Sequence, residues 1–170
     1  LRLRRLGFVF QNPHFLRTLC LLDNIALPGF LAGDEPREEI VARARGLMES
    51  MGISGLESSD VAEVSGGQLQ RASICRALIN DPEIVIGDEP TGALNSASAA
   101  QVLDIMGEIR ARGTTVVLVT HDPTVAVRAD RVLVLVDGKI TDDVALGRYS
   151  PDAAAERTAR VTSLLASRGV

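Results

Sequence analysis

The apolar positions along the chain change period several times, and each change marks an element. Leu6 to Phe10, "LGFVF", is a short apolar run closed by Gln11, Asn12 and Pro13, and it reads as a strand. From about residue 18 to 53 the spacing is helical. Within that stretch "LLDNIALPGFLAG" is a short apolar segment expected to break at Pro28 and Gly29. "EPREEIVARARGLMESMGI" opens with Pro36 and acids in its first turn, and sets Ile40, Val41, Ala44, Leu47, Met48 and Met51 on one stripe. A polar loop, "SGLESSDVAEV", leads into "VSGGQLQRASICRALIND", whose second half is again spaced as a helix with one apolar face. "PEIVIGDEP" is a continuous apolar run cut off by acids, the pattern of a strand buried on both faces in a parallel sheet. "SASAAQVLDIMGEIRARG" reads as a helix with Val102, Leu103, Met106 and Ile109 inward and Gly113 as its stop. "TTVVLVTHD" reads as a second buried strand, and "RVLVLVDGKITDD" as a hairpin through Asp137-Gly138. Ser150 to Val170, rich in Ala and Arg, is expected to be a surface helix with a frayed end.

Strand, helix, strand, helix, hairpin predicts an open α/β sheet with a mainly helical insertion from about residue 18 to 63. Composition narrows the setting. The chain has 170 residues, 46% hydrophobic and 24% charged, enough to bury a core and unlike a disordered segment. A net charge of −4 gives no basic field for nucleic acid or anionic lipid. No apolar run approaches the roughly 18 residues that a membrane-spanning helix needs. Cys20 and Cys75 match no metal-ligand spacing and read as reduced core thiols of a cytosolic protein. The start, "LRLRRLGFVFQ", lacks Met and runs directly into a strand, so the chain is expected to be part of a longer one.

In open α/β sheets ligands gather beyond the carboxyl ends of the strands. There the pattern places Gln11 after the first strand, Asp88 and Glu89 after the second, and His121 after the third. This set suits phosphoryl transfer. A strand-end acid can hold Mg²⁺, which prefers octahedral oxygen ligands and keeps much of its water. A second acid can orient or deprotonate an attacking water, and a histidine can hydrogen-bond a phosphate oxygen. Singly, each has a duller reading: a strand-end Asp-Glu is more often a solvated turn, and Gln11 alone means nothing. Their order, together with "SGGQ" 23 residues (88 − 65) before Asp88, is far more specific. Ser65 can cap the helix that follows, while Gly66 and Gly67 leave its first amides open to an anion.

Over essentially its whole length the chain resembles the nucleotide-binding subunit of an ABC transporter. "VSGGQLQR" resembles the signature motif, "IVIGDEPTGAL" the Walker B strand with D-loop, "VFQ" the Q-loop and "VTHD" the H-loop. "LRTLCLLDNIALP", "DEPTGALNS" and "ADRVLVLVDGKI" are similar to the branch serving lipoprotein release, macrolide export and cell division. The resemblance implies a P-loop NTPase-type ATPase using ATP and Mg²⁺. It casts Glu89 as general base, Asp88 and Gln11 as metal contacts, and His121 as a γ-phosphate contact. Ser65, Gly66, Gly67 and Gln68 would close over ATP held by a second subunit in a head-to-tail dimer. A transmembrane permease subunit would dock near Phe15, holding the chain on the inner face of the cell membrane.

The implied parts are residues 1–17 as the end of a core strand and Q-loop, and 18–63 as helical subdomain. Residues 64–149 would carry the signature helix, Walker B, D-loop, H-loop and terminal hairpin, and 150–170 a surface tail. Two features depart from the family pattern. No "GxxxxGK[ST]" occurs in these residues, so the 170 residues alone are expected to be inactive. Asn95 stands where the D-loop carries aspartate, keeping the size but losing the charge. Two other readings stay open: a non-catalytic module lending its signature to another subunit, and a non-transport ATPase of the same superfamily. Against the latter, Gln11 and Ser65 are only 54 residues apart (65 − 11), without Cys pairs or heptads between them.

Overall fold

The computed structural model describes residues 2–166, in two compact units that divide between Val119 and Thr120. Positions 167–170 of the expected C-terminal surface helix lie outside the described residues.

In the first unit a short helix α1 (Arg2–Arg5) precedes β1 (Leu6–Phe10), and the sheet is completed by β2 (Ile84–Asp88) and β3 (Thr115–Val119). All pairing is parallel, in the order β1-β2-β3, with Phe10, Asp88 and Val119 in register at the carboxyl edge. Between β1 and β2 lie α2 (Leu21–Ala32), α3 (Arg37–Ser50) and α4 (Gly66–Leu78); α5 (Ser96–Ala111) connects β2 to β3. The α/β sheet with a helical insertion is therefore as the pattern predicted.

Two cores form. Leu21, Ile25, Ile40, Met48 and Ile53 join Ala72 and Cys75 of α4, and Ile79 just beyond it, in a helical cluster. The opposite side of α4 gives Ile74 to a sheet cluster with Val9, Val85, Val102, Met106 and Ile109. α4 thus belongs to both cores. Its approach to β1 is close: a Cβ at Gly7 would sit 2.5 Å from the Ala77 carbonyl oxygen, so only glycine lets the helix lie this low on the sheet.

Three expectations need correction. α2 is not broken at Pro28; it runs through it to Ala32, with Gly33 in the left-handed conformation as its stop. Packing outweighs the missing N–H, because Gly29, next to the proline, is where α3 presses in: a Cβ there would lie 2.6 Å from Ile40 Cγ2. β2 and β3 are not buried on both faces. Helices cover the face of Val9 and Val85, both fully buried, while on the other face Val117 is 46% and Val119 56% exposed. Continuous apolarity ordinarily goes with burial on both faces, yet among the described residues a helix layer covers only one of them. Cys20 is not a core thiol either; it is half-buried at the start of α2, with its Sγ 3.4 Å from Asp23 Oδ2. Cys75 is fully buried, as expected.

The second unit holds a short helix α6 (Pro123–Ala126), the antiparallel hairpin β4 (Arg131–Val136) and β5 (Lys139–Ala145), and α7 (Ala154–Ala166). The hairpin turns at Asp137 and Gly138, both with positive φ, as the Asp-Gly pair predicts. α7 is amphipathic and buries Arg157 and Val161, so the predicted surface helix has one inward face. Arg157 donates to the carbonyls of Val127, Ala129, Leu146 and Gly147, fastening three turns of backbone around one guanidinium.

Candidate functional site

Parallel register carries Gln11 and Asp88–Glu89 to one edge of the sheet. Asp88 is the last residue of β2 and exposed. Immediately beyond it the chain turns sharply. Glu89 has φ 45°, a left-handed conformation that a non-glycine residue adopts at a cost of about 1–2 kcal/mol. The turn is held by Glu89 N–H donating 2.9 Å to Val119 O, and continued by Gly92 N–H donating 3.1 Å to Glu89 O. Pro90 and Thr91 are buried beneath it. Strain of this kind persists only where surroundings fix it, as the Val119 and Gly92 backbone bonds do here.

Gln11 reaches this turn. A Cβ at Gly92 would stand 2.9 Å from Gln11 Nε2, so the amide lies directly over the Gly92 backbone. Gln11 and the Asp88–Gly92 loop thus face each other, bringing together side chains that are 77 positions apart (88 − 11) in sequence. Among the described residues no cluster of three or more His, Cys, Asp or Glu side chains could hold a metal by itself. Mg²⁺ does not require one, since it is commonly bound by one or two protein oxygens with waters and phosphate. The Asp88 carboxylate and the Gln11 amide oxygen, at the same sheet edge, could supply oxygens of that kind.

The SGG segment begins α4 as a capping box. Ser65 Oγ accepts from Gln68 N–H at 3.4 Å, and Gln68 Oε1 accepts from Ser65 N–H at 3.0 Å and from Ser65 Oγ at 2.8 Å. Capping by Ser65 was legible; the return contact from Gln68 was not drawn from the sequence, although Ser-x-x-Gln is its signature. Asn95 caps α5, its Oδ1 accepting from Ser98 N–H at 2.9 Å. His121 lies in the second unit, exposed, just before Asp122, which caps α6 through Thr124 N–H at 2.8 Å.

Sequence reasoning missed the side chains that hold the segment after β1. Gln70, 2% exposed, donates from Nε2 to Phe10 O at 3.1 Å. Arg76 donates to Pro13 O and places its guanidinium 4.5 Å over the Phe15 ring. Burial pulls the Arg76 pKa below the ordinary arginine value. Asn24, almost fully buried, accepts from Leu16 N–H at 2.7 Å and donates to Leu16 O at 2.9 Å and Leu19 O at 3.1 Å. A polar residue amid a helix's apolar stripe was the available signal in each case. Phe15 is half-buried against the helical core, and Leu16 is 50% exposed.

These features have a family. The sequence profile described as "ABC transporter" matches residues 1–92, and the chain belongs to that family. It is 44% identical over 143 residues to the macrolide export ATP-binding/permease protein MacB of Mannheimia succiniciproducens, covering 84% of this chain and 22% of that protein. It is also 44% identical over 168 residues to the MacB of Rhodopseudomonas palustris, covering 99% and 26% respectively. The chain thus spans about a quarter of the length of these curated relatives. Among solved structures it resembles the ATP-binding cassette MJ0796 in a dimeric post-hydrolysis state bound to ADP and Pi. The TM-score is 0.76 at 33% identity, over 87% of this chain and 66% of that one.

Proposed function

We propose that the chain is part of an ATP-hydrolysing module that powers a macrolide-export-type transporter. The observation that carries this reading is the strained Asp88–Glu89 turn with Gln11 folded over Gly92 at the carboxyl edge of the parallel sheet. In a family of ATP-driven transporters that edge is where a nucleotide phosphate would lie. Glu89 serves as general base, taking the proton of the attacking water. Asp88 and Gln11 would hold Mg²⁺, which would offset charge on the phosphate oxygens. His121 donates to a γ-phosphate oxygen. Ser65, Gly66, Gly67 and Gln68 face the ATP of a second subunit in a head-to-tail dimer, with Asn95 in the adjoining D-loop. Residues 18–63 form the helical subdomain, and a membrane-embedded permease part docks near Phe15, placing the module at the membrane's inner face.

The test is Glu89→Gln in the chain with a P-loop-bearing segment of a macrolide-export relative joined ahead of Leu1. Removing a general base should lower turnover about 10²–10⁴-fold while Mg-ATP binding persists and an ATP-held dimer accumulates on gel filtration. Turnover equal to that of the unmodified protein would remove Glu89 from the role. By itself the 170-residue chain should bind Mg-ATP weakly, since it contains no P-loop sequence and charge-assisted contacts contribute about 1.5–3 kcal/mol each. Micromolar binding by titration calorimetry would contradict that.

A further inference from the structure

The neighbouring glycines at the start of α4 have different surroundings. A Cβ added at Gly66 would meet nothing within 4 Å, whereas one at Gly67 would lie 2.9 Å from Ser98 Oγ and 3.2 Å from Ser98 Cβ. Neither glycine has a positive φ. A side chain at 67 is therefore opposed by a neighbour and not by the backbone. That neighbour is itself fixed, for Ser98 N–H is the group that Asn95 Oδ1 caps. One turn further along both helices, Arg71 Nη1 donates 2.9 Å to Gln101 Oε1. The first turns of α4 and α5 are thus joined at two successive levels, with Ser98 bonded to Asn95 through its backbone and packed on Gly67 through its side chain.

We infer that Ser98 is a positioning residue that sets the SGG start of α4 against the Asn95 cap of α5, and that position 67 is glycine because Ser98 fills the space of its side chain. Gly66, by contrast, is the glycine whose open side faces outward. The inference rests on the proposed function only for its purpose, which is to present Ser65–Gln68 and Asn95 as one surface to the opposing subunit. The contact itself needs no nucleotide.

A thermal-unfolding cycle on the full chain tests it, with Gly67→Ala, Ser98→Gly, the double variant, and Gly66→Ala as control. Alanine is a better helix former than glycine, so an unobstructed Gly67→Ala should stabilise. With Ser98 present we expect Gly67→Ala to lower the midpoint by about 2–4 °C, the shift expected of a modest clash in a domain this size. In the Ser98→Gly background the same substitution should raise it, while Gly66→Ala should act alike in both backgrounds. If Gly67→Ala fails to fold and the double variant folds, the inference holds. A shift of the same sign and size in both backgrounds, or failure of both to fold, overturns it. A second readout separates positioning from stability. Asn95→Ala should move the amide resonances of Gly66, Gly67 and Gln68, and Asn95→Asp, which keeps the cap acceptor, should restore them; unmoved resonances overturn the inference. Failure of the ATPase reading would appear instead as absent turnover in the assembled protein, with this cycle intact.

Discussion

Replacing Arg76 by methionine should loosen the segment after β1 without unfolding the sheet. Methionine keeps most of the stem's apolar contact and removes the guanidinium. What is lost is the hydrogen bond to Pro13 O and the stacking 4.5 Å over Phe15. A hydrogen bond from a charged donor contributes about 1.5–3 kcal/mol, and a partly desolvated cation–π contact about 0.5–2 kcal/mol. Against these stands the relief of a half-buried charge, whose desolvation already pulls the Arg76 pKa down. A net local loss of about 2 kcal/mol is the reasonable figure, which corresponds to roughly a 30-fold change in an opening equilibrium. Native-state hydrogen exchange reads it directly. The Leu16 amide, bonded 2.7 Å from Asn24 Oδ1, reports opening of the segment, and the amides of β2, paired on both sides, report the sheet. Leu16 should exchange about 30-fold faster in the variant, with β2 little changed. An unchanged Leu16 rate, or equal acceleration at both places, would refute the clamp.

Asn24→Ala should cost about 1–3 kcal/mol, because it leaves the part-buried Leu16 amide and the Leu16 and Leu19 carbonyls without their partner; denaturant unfolding measures it. Arg157→Met should destabilise the second unit by about 1–3 kcal/mol, seen as early loss of the exchange protection of β4 and β5, since it leaves the buried Val127 carbonyl without its donor and frees the Ala129 and Leu146 carbonyls. Burial pushes the Cys75 thiol up to about 12, from an ordinary value of 9.0. The unfolded chain therefore loses this proton first as pH rises. Stability is unaffected below pH 9 and falls between about 9 and 12 by up to about 1.4 kcal/mol per pH unit; Cys75→Ala should flatten that slope, and Cys75 should resist thiol reagents at pH 8 until the chain unfolds. In the nucleotide-competent protein, Phe15→Ala should leave basal turnover within about threefold, a change of roughly 0.65 kcal/mol. It should abolish stimulation by the permease; an unchanged response would move the docking surface elsewhere.

What sequence pattern conveyed was governed by local rules. The bounds of β1, the inward face of α5, the Asp-Gly turn and the Ser65 cap all follow from spacing within a few residues. The gathering of Gln11, Asp88 and Glu89 was legible too, because strand ends in a parallel sheet share an edge. What stayed hidden depends on which neighbour arrives. Pro28 should end a helix on its own chemistry, and it does not because α3 packs at Gly29. Val117 and Val119 read as buried in a sequence that does not say whether a layer covers them. Gln70 and Arg76 are polar positions of α4 whose spacing names no partner, yet they reach backbone 60 and 63 residues away. α6 is a helix of 4 residues, too short for any period to appear.

α4 joins the SGG start at one end to Arg76 at the other, seated in both cores along the way. A helix rises about 1.5 Å per residue, so Gly67 and Arg76 are about 13.5 Å apart along its axis. Treated as a stiff rod, it converts angle into displacement. A tilt of about 5° about the Arg76 end would carry Gly67 sideways by about 1.2 Å over that length. A hydrogen bond from an amide is lost when it lengthens from roughly 2.9 Å to beyond 3.5 Å, about half that displacement. Small rotations where Phe15 is held are thereby large events where the first amides of α4 emerge.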